Sequence, residues 1–206
     1  MNETGEHWDE VYATRAPDEV SWFQRTPATS LRLLNQWASP RSSVIDLGGG
    51  ASTLVDSLLD AGWEDLTVLD ISSEALRQVR GRLTDKASRV HFVVADARSW
   101  RPRRTYDVWH DRAVFHFLVD ATDRDRYITV LSQALAPGGV VVVGTFAHDG
   151  PTQCSGLATA RYDREGIARI FAPAFTLELT EREEHVTPAG TFQPFLWSVL
   201  RRATGE

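Results

Sequence analysis

The chain has 206 residues, 42% of them hydrophobic and 24% charged, with a formal net charge of −6; that suits one globular domain with ample chain to bury a core. The acidic balance excludes a general nucleic-acid binder, which needs a basic face, and the single cysteine, Cys154, excludes an intrachain disulfide. No apolar run is long enough to span a bilayer and no signal-peptide pattern is present, so a cytoplasmic protein with no membrane partner is expected.

The first forty residues are rich in aromatic and polar side chains and predict helices over 3–12 and 29–37, covering the carboxyl edge of a sheet. Residues 43–47 are a short apolar run ending in glycine, the pattern of a buried strand. Residues 52–61 put Leu54, Val55, Leu58 and Leu59 on one side of a helix. A strand over 66–69 closes at Asp70, and Ser72 and Glu74 open a helix through residue 83. A third strand over 90–95 leads to Asp96, and a fourth covers 106–109. A helix over 123–135 is stopped by Pro137-Gly138-Gly139, and a fifth strand covers 140–143. After a helix over 163–171, two strands over 175–179 and 195–200 follow, joined through Thr187-Pro188-Ala189-Gly190 with no helix between.

Strand alternating with helix signals an α/β fold. The expected architecture is a seven-stranded, mostly parallel, doubly wound sheet with helices on both faces, a C-terminal antiparallel hairpin and an N-terminal helical cap. A single domain over 1–206 is expected, divided into a cap (1–40), a core (41–146), and a loop, helix and hairpin (147–206).

In such a sheet ligands bind beyond the carboxyl ends of the strands. The loop there is Gly48-Gly49-Gly50, within "VIDLGGGAS". Glycine permits positive φ and close approach of a ligand to the backbone, and the next helix directs free N–H groups to the same place. The dinucleotide fingerprint G-x-G-x-x-G needs glycine at 48, 50 and 53, but position 53 is Thr53. The alternative, D-x-G-x-G, begins at Asp46. A carboxylate so close to the loop repels a pyrophosphate and suits a ligand with a cationic group.

In this loop and in the strand ends that follow it, the chain resembles the class I S-adenosylmethionine-dependent methyltransferases. "VIDLGGGAS" is similar to their first motif, although Ser52 stands where many members have a third glycine. "LTVLDIS", "VHFVVADAR", "YDVWHDRAVFHFL" and "LAPGGVVVVGTF" are similar to the next four, in order, over residues 43–146. The resemblance implies S-adenosylmethionine as cofactor. It implies that Asp46 and Gly48, Gly49 and Gly50 hold the methionine end, with His110 on the cofactor side. It further implies that Asp70 takes both ribose hydroxyls, that Ile71 packs on the adenine, and that Asp96 and the Ala97 N–H face the adenine edge. Capping is the competing explanation for Asp70 and Asp96.

Trp8 and Tyr12 share a helix face, four residues apart, and Trp22 follows in a loop. Such an aromatic pair is most often core or interhelix packing. The family places its lid here, and a sulfonium is attracted to aromatic faces by roughly 0.5–2 kcal/mol. The pattern resembles the caps of thiopurine and thiol methyltransferases, and also the W-x-x-x-Y start of some protein lysine methyltransferases.

On the acceptor side the candidates are Asp111, Arg112 and His116, the last as a base for an acceptor that must lose a proton. The alternatives are that Asp111 caps the next turn, Arg112 pairs with an acid and His116 packs. The irregular loop "FAHDGPTQCSGLATARY" could bring His148, Cys154 and Arg161 over the pocket. No metal site is expected, because neither cysteine number nor histidine spacing provides one. The expected function is methyl transfer to a small-molecule nucleophile, thiols included, with no nucleic-acid partner and the oligomeric state open. Protein lysine methyl transfer and non-catalytic cofactor binding are the alternatives.

Overall fold

The computed structural model describes residues 3–16 and 18–204; both ends of the expected 1–206 domain, and Pro17 in its cap, lie outside the described residues. One sheet organises the chain. Its strands are β1 (Val44–Leu47), β2 (Leu66–Asp70), β3 (Val90–Val94), β4 (Tyr106–Arg112) and β5 (Leu135–Phe146), then, after a small separate hairpin of β6 (Gln153–Cys154) and β7 (Leu157–Ala158), β8 (Phe175–Val186) and β9 (Phe192–Arg202). Their order in space is β3-β2-β1-β4-β5-β9-β8. The first five run parallel, and β9 is antiparallel to both neighbours. The order reverses between β1 and β4, where ligands bind in sheets of this kind.

Alternation along each strand sorts side chains onto two faces. Val44, Val108, Val140 and Val142 pack with Leu33 and Leu34 of α2 (Ala28–Trp37), Leu58 of α3 (Leu54–Asp60) and Val79 of α4 (Ser73–Leu83). Ile45, Leu47, Trp109, Val141 and Val143 pack on the other face with Tyr127 and Leu131 of α5 (Ala121–Ala134) and Phe171 of α6 (Arg164–Phe171). Because both faces are covered, β1 and β2 are buried along their whole length and mostly apolar, the exceptions being Thr67 and the acids Asp46 and Asp70 at the ligand edge. Ser72 caps α4 by accepting the Ala75 N–H at 3.0 Å, and Asp163 caps α6 by accepting the Gly166 N–H at 2.7 Å.

The first helix, α1 (Glu3–Thr14), is fastened to the start of α4. Asp9 accepts the Ser72 hydroxyl at 2.6 Å and the Glu74 N–H at 3.1 Å, and Gln78 donates to the Tyr12 carbonyl at 2.7 Å. An acid suits this position, where the free N–H groups of α4 carry partial positive charge.

The structure departs from expectation in four places. Only α1 sits over the carboxyl edge; α2 buries Leu33 and Leu34 on the sheet face, so it is a core helix and not part of a lid. β4 runs on to Arg112, three residues past the expected end, because β1 and β5 flank it on both sides. Pro137-Gly138-Gly139 does not precede β5 but lies within it: Leu135 already pairs with Tyr106, and the register slips between Tyr106 and Val108 beside Gly138, which has φ +75°. The terminal hairpin is more than twice as long as its apolar centres, since pairing with β9 carries β8 through the charged stretch 181–185.

Candidate active site

The floor of the site is the loop after β1. Gly48 and Gly50 have φ of +58° and +39°, in the left-handed region that favours glycine. A Cβ at Gly48 would collide with Val114, and one at Gly50 would come within 2.5 Å of the Tyr12 hydroxyl and 3.1 Å of Asp70 Oδ2. Arg82 braces the loop from behind, donating to the carbonyls of Ala51 (3.1 Å) and Ser52 (2.6 Å) while paired with Asp56.

Beyond the loop lies a cavity of about 480 Å³ between α1 and the sheet edge, within the usual range for small-ligand sites. Among the expected residues, Trp8, Tyr12, Trp22 and Gly48 line it, as do Asp70, Ile71, Asp96 and Ala97, then Arg112, His116 and Cys154. A smaller space of about 40 Å³ adjoins it; Asp46, Gly49 and His110 border only this one, and Arg112 borders both. Gly50 borders neither and is covered by Tyr12 and Asp70. The rings of Trp8 and Trp22 meet edge to face at 5.7 Å, and Trp8 meets Phe117 at 5.3 Å, so the lid aromatics form one cluster across the cavity.

Asp70 ends β2 and is buried, its Oδ1 accepting the Ser72 N–H at 2.8 Å. Burial pushes its carboxyl up to about 7, partly offset by the backbone N–H groups of Ser72 and Gly50. Such a group gains from any donor brought to it. Asp96 is held by Arg98, whose Nε lies 3.0 Å from Oδ1 and whose Nη2 lies 2.6 Å from Oδ2; Arg98 also pairs with Asp123. Asp46 and His110 are register partners on adjacent strands and point to the same face. His110 Nδ1 lies 2.7 Å from Asp46 Oδ1, and its Nε2 lies 3.0 Å from the Ser30 hydroxyl on α2. His110 therefore positions Asp46 and, like Asp46 itself, borders only the small adjoining space.

Asp111 is also displaced from its expected role. Alternation along β4 turns it to the face opposite Arg112, where it is fully buried. Its carboxylate accepts the N–H groups of Val114 (2.9 Å) and Phe115 (3.1 Å) and the Tyr127 hydroxyl (2.6 Å). Burial raises it to about 6. It caps the turn and has no path to the cavity.

His116 lines the cavity but is not arranged as a base. The Phe146 N–H donates to its Nδ1 at 3.3 Å, so the neutral ring carries its proton on Nε2. Burial, then the charge of Arg112, lowers it to about 3, which keeps it neutral at ordinary pH. Arg112 donates from Nη1 to the Trp22 carbonyl at 2.8 Å. Cys154 faces the cavity with its thiol pK raised by burial, whereas His148 and Arg161, expected to reach in, are exposed and away from it. Among the described residues no group of three or more His, Cys, Asp or Glu is placed to hold a metal.

Several working residues escaped the sequence reading. Ser30, Asp9 and Arg98 act through other side chains and Arg82 through backbone carbonyls, which no linear motif announces. Phe146, beyond the expected end of the fifth strand, and Phe195, within an expected strand, also line the cavity and carried no signal in the sequence.

Residues 44–139 match the family model described as a methyltransferase domain. That stretch is just under half of the chain, and its similarity is to a methyltransferase domain. The chain is 34% identical over 138 residues to a trans-aconitate 2-methyltransferase of Methylobacterium radiotolerans, covering 66% of the chain and 48% of that relative. It is 25% identical over 144 residues to the eEF1A lysine and N-terminal methyltransferase of Bos taurus, covering 65% of the chain and 20% of that relative. The chain thus spans about a fifth of the latter's length and half of the former's. Its fold matches the N-methyltransferase NodS from Bradyrhizobium japonicum, solved with S-adenosyl-L-homocysteine, with a TM-score of 0.75 at 20% identity over 98% of this chain and 99% of that one. S-adenosylmethionine, the cofactor that the resemblance implies, would supply an activated methyl group. The cavity fits it: a buried carboxylate short of donors at the β2 end, a glycine cradle that a Cβ would fill, and an aromatic lid suited to a cation.

Proposed function

We propose that the chain methylates a small-molecule nucleophile, with a thiol among the candidate acceptors. The observation that carries this reading is the charge of the acceptor end. It presents the Arg112 guanidinium and His116 between phenylalanines, an environment that repels a lysine ammonium. In this reading Asp70 holds the ribose hydroxyls, Ile71 packs on the adenine and Ala97 faces its edge. Asp96, oriented by Arg98, borders the same edge. Asp46, oriented by His110, answers the cofactor's ammonium, while Gly48 and Gly49 leave room for its methionine end. Trp8, Tyr12 and Trp22 exclude water and face the sulfonium. A cytoplasmic setting, with no nucleic-acid partner, fits the acidic balance and lone thiol. Protein lysine methylation is the second reading, favoured by the eEF1A relative.

Incubation with cell extract and methyl-labelled cofactor separates the two. Label is expected in the small-molecule fraction; label confined to protein would transfer the assignment to the second reading.

The Asp70 assignment also sets a pH dependence. Ribose hydroxyls donate to the ionised carboxylate, so cofactor binding favours loss of the proton that burial retains up to about pH 7. Affinity is expected to rise with pH through about 7, and to fall about tenfold per unit below it. The stability of the cofactor-free protein has the opposite sign. A carboxyl with a raised folded pK stabilises the fold fully at acid pH and loses that contribution as pH rises through about 7. Calorimetric titration with S-adenosylhomocysteine between pH 6 and 8 measures the first effect; a flat profile would remove Asp70 from the ribose contact.

A further inference from the structure

Arg112 has an unusual hydrogen-bond account. Nη1 is satisfied by the Trp22 carbonyl, but Nε and Nη2 are buried without a partner. No carboxylate among the described residues forms an ion pair with it; Glu183 and Asp46 act only at longer range. Its guanidinium stands 5.0 Å from the centre of the Phe195 ring. His116, on the same cavity wall, has a buried and unpartnered Nε2. Its Nδ1 accepts from Phe146, so that Nε2 is a donor. Two neighbouring side chains thus hold three unanswered donors and no acceptor. Leaving a buried donor unpaired is costly, and a buried charge more so; a ligand that answers all three relieves both. The walls around them, Phe117, Phe146, Phe195 and Leu157, are apolar.

We propose that Arg112 and His116 form the acceptor subsite and take the carboxylate of a small organic acid with an apolar body. This rests on the small-molecule reading above and names its substrate class. A carboxylate supplies acceptors only, matches the planar guanidinium fork, and can share one oxygen with the imidazole N–H. The cofactor's own carboxylate is the competing claimant on Arg112. His116 favours the acceptor, because it borders the large cavity alone and not the small space beside Asp46.

The test uses benzoate as probe, with benzamide as its neutral counterpart, titrated calorimetrically into protein saturated with S-adenosylhomocysteine. Benzoate is expected to bind and benzamide not to. Arg112→Gln and His116→Phe should each weaken benzoate about 10- to 100-fold, with S-adenosylhomocysteine affinity unchanged. His116→Gln, which keeps an N–H donor, should recover most of what His116→Phe loses. The comparison of benzoate with benzamide on the unaltered protein stands even if a variant fails to fold. Equal binding of the two probes, or no benzoate binding at millimolar concentration, would overturn the proposal. So would loss of S-adenosylhomocysteine affinity in Arg112→Gln, which would assign the guanidinium to the cofactor. Failure of the unaltered protein to bind S-adenosylhomocysteine would instead defeat the methyltransferase reading beneath it.

Discussion

Asp111→Ala is expected to destabilise the fold by about 2–4 kcal/mol while sparing the chemistry of molecules that remain folded. The Asp111 carboxylate is the partner of two backbone N–H groups and of the Tyr127 hydroxyl, all buried. Alanine strands all three, at about 1–3 kcal/mol for each group that finds no substitute. The Tyr127 hydroxyl also accepts from Trp109 Nε1 at 2.8 Å, so the disturbance reaches the fully buried centre of that face. For a domain stable by about 5–15 kcal/mol such a loss is large but survivable. Urea denaturation measures it. Asp111→Asn, which retains one carbonyl oxygen, should recover part of the loss. If activity per folded molecule collapsed while stability held, the carboxylate would belong to the reaction after all.

Asp70→Ala is expected to weaken cofactor binding by about 1–3 kcal/mol, roughly 5- to 150-fold in Kd. The direction follows from the burial of Asp70. Its carboxyl is desolvated by Tyr12 and the sheet edge and lifted to about 7, so it has lost water without regaining an equal number of donors. Two ribose hydroxyls restore that balance. Removing the carboxyl leaves those hydroxyls facing apolar walls, whereas the free protein loses contacts with the backbone N–H groups of Ser72, Gly50 and Ile71 but is relieved of the desolvation that lifts the carboxyl. The melting temperature of the cofactor-free protein should therefore shift little. Asp70→Asn should bind at an intermediate level and lose the pH dependence near 7. Unchanged calorimetric affinity in Asp70→Ala would exclude Asp70 from the site.

The half of the site proposed to hold the cofactor was largely legible in the sequence because it is built from backbone and strand ends. The spacing of Asp46, Asp70 and Asp96 follows from consecutive parallel strands, and alternation of strand and helix lets each be assigned to a sheet edge. The lid was half legible: the i, i+4 spacing of Trp8 and Tyr12 placed them together, but only the fastening of Asp9 to the start of α4 sets them over Asp70. The acceptor half was not legible. Asp111 and Arg112 look alike as a polar pair after a strand. The strand in fact continues through them, and a period of two sends neighbours to opposite faces.

The sequence by itself determined the order of elements, the doubly wound sheet, and the placing of three carboxylates and a glycine turn along one edge of it. These depend on periodicity and on backbone freedom at single residues, both of which are local. The tertiary structure alone decided which acidic group is structural, that His110 serves Asp46, and that His116 offers a proton-bearing nitrogen where a base was expected. Each of those roles is fixed by a partner distant along the chain — Tyr127, Ser30 and Phe146 in turn — and a hydrogen-bond partner supplied by folding leaves no mark on the neighbouring sequence.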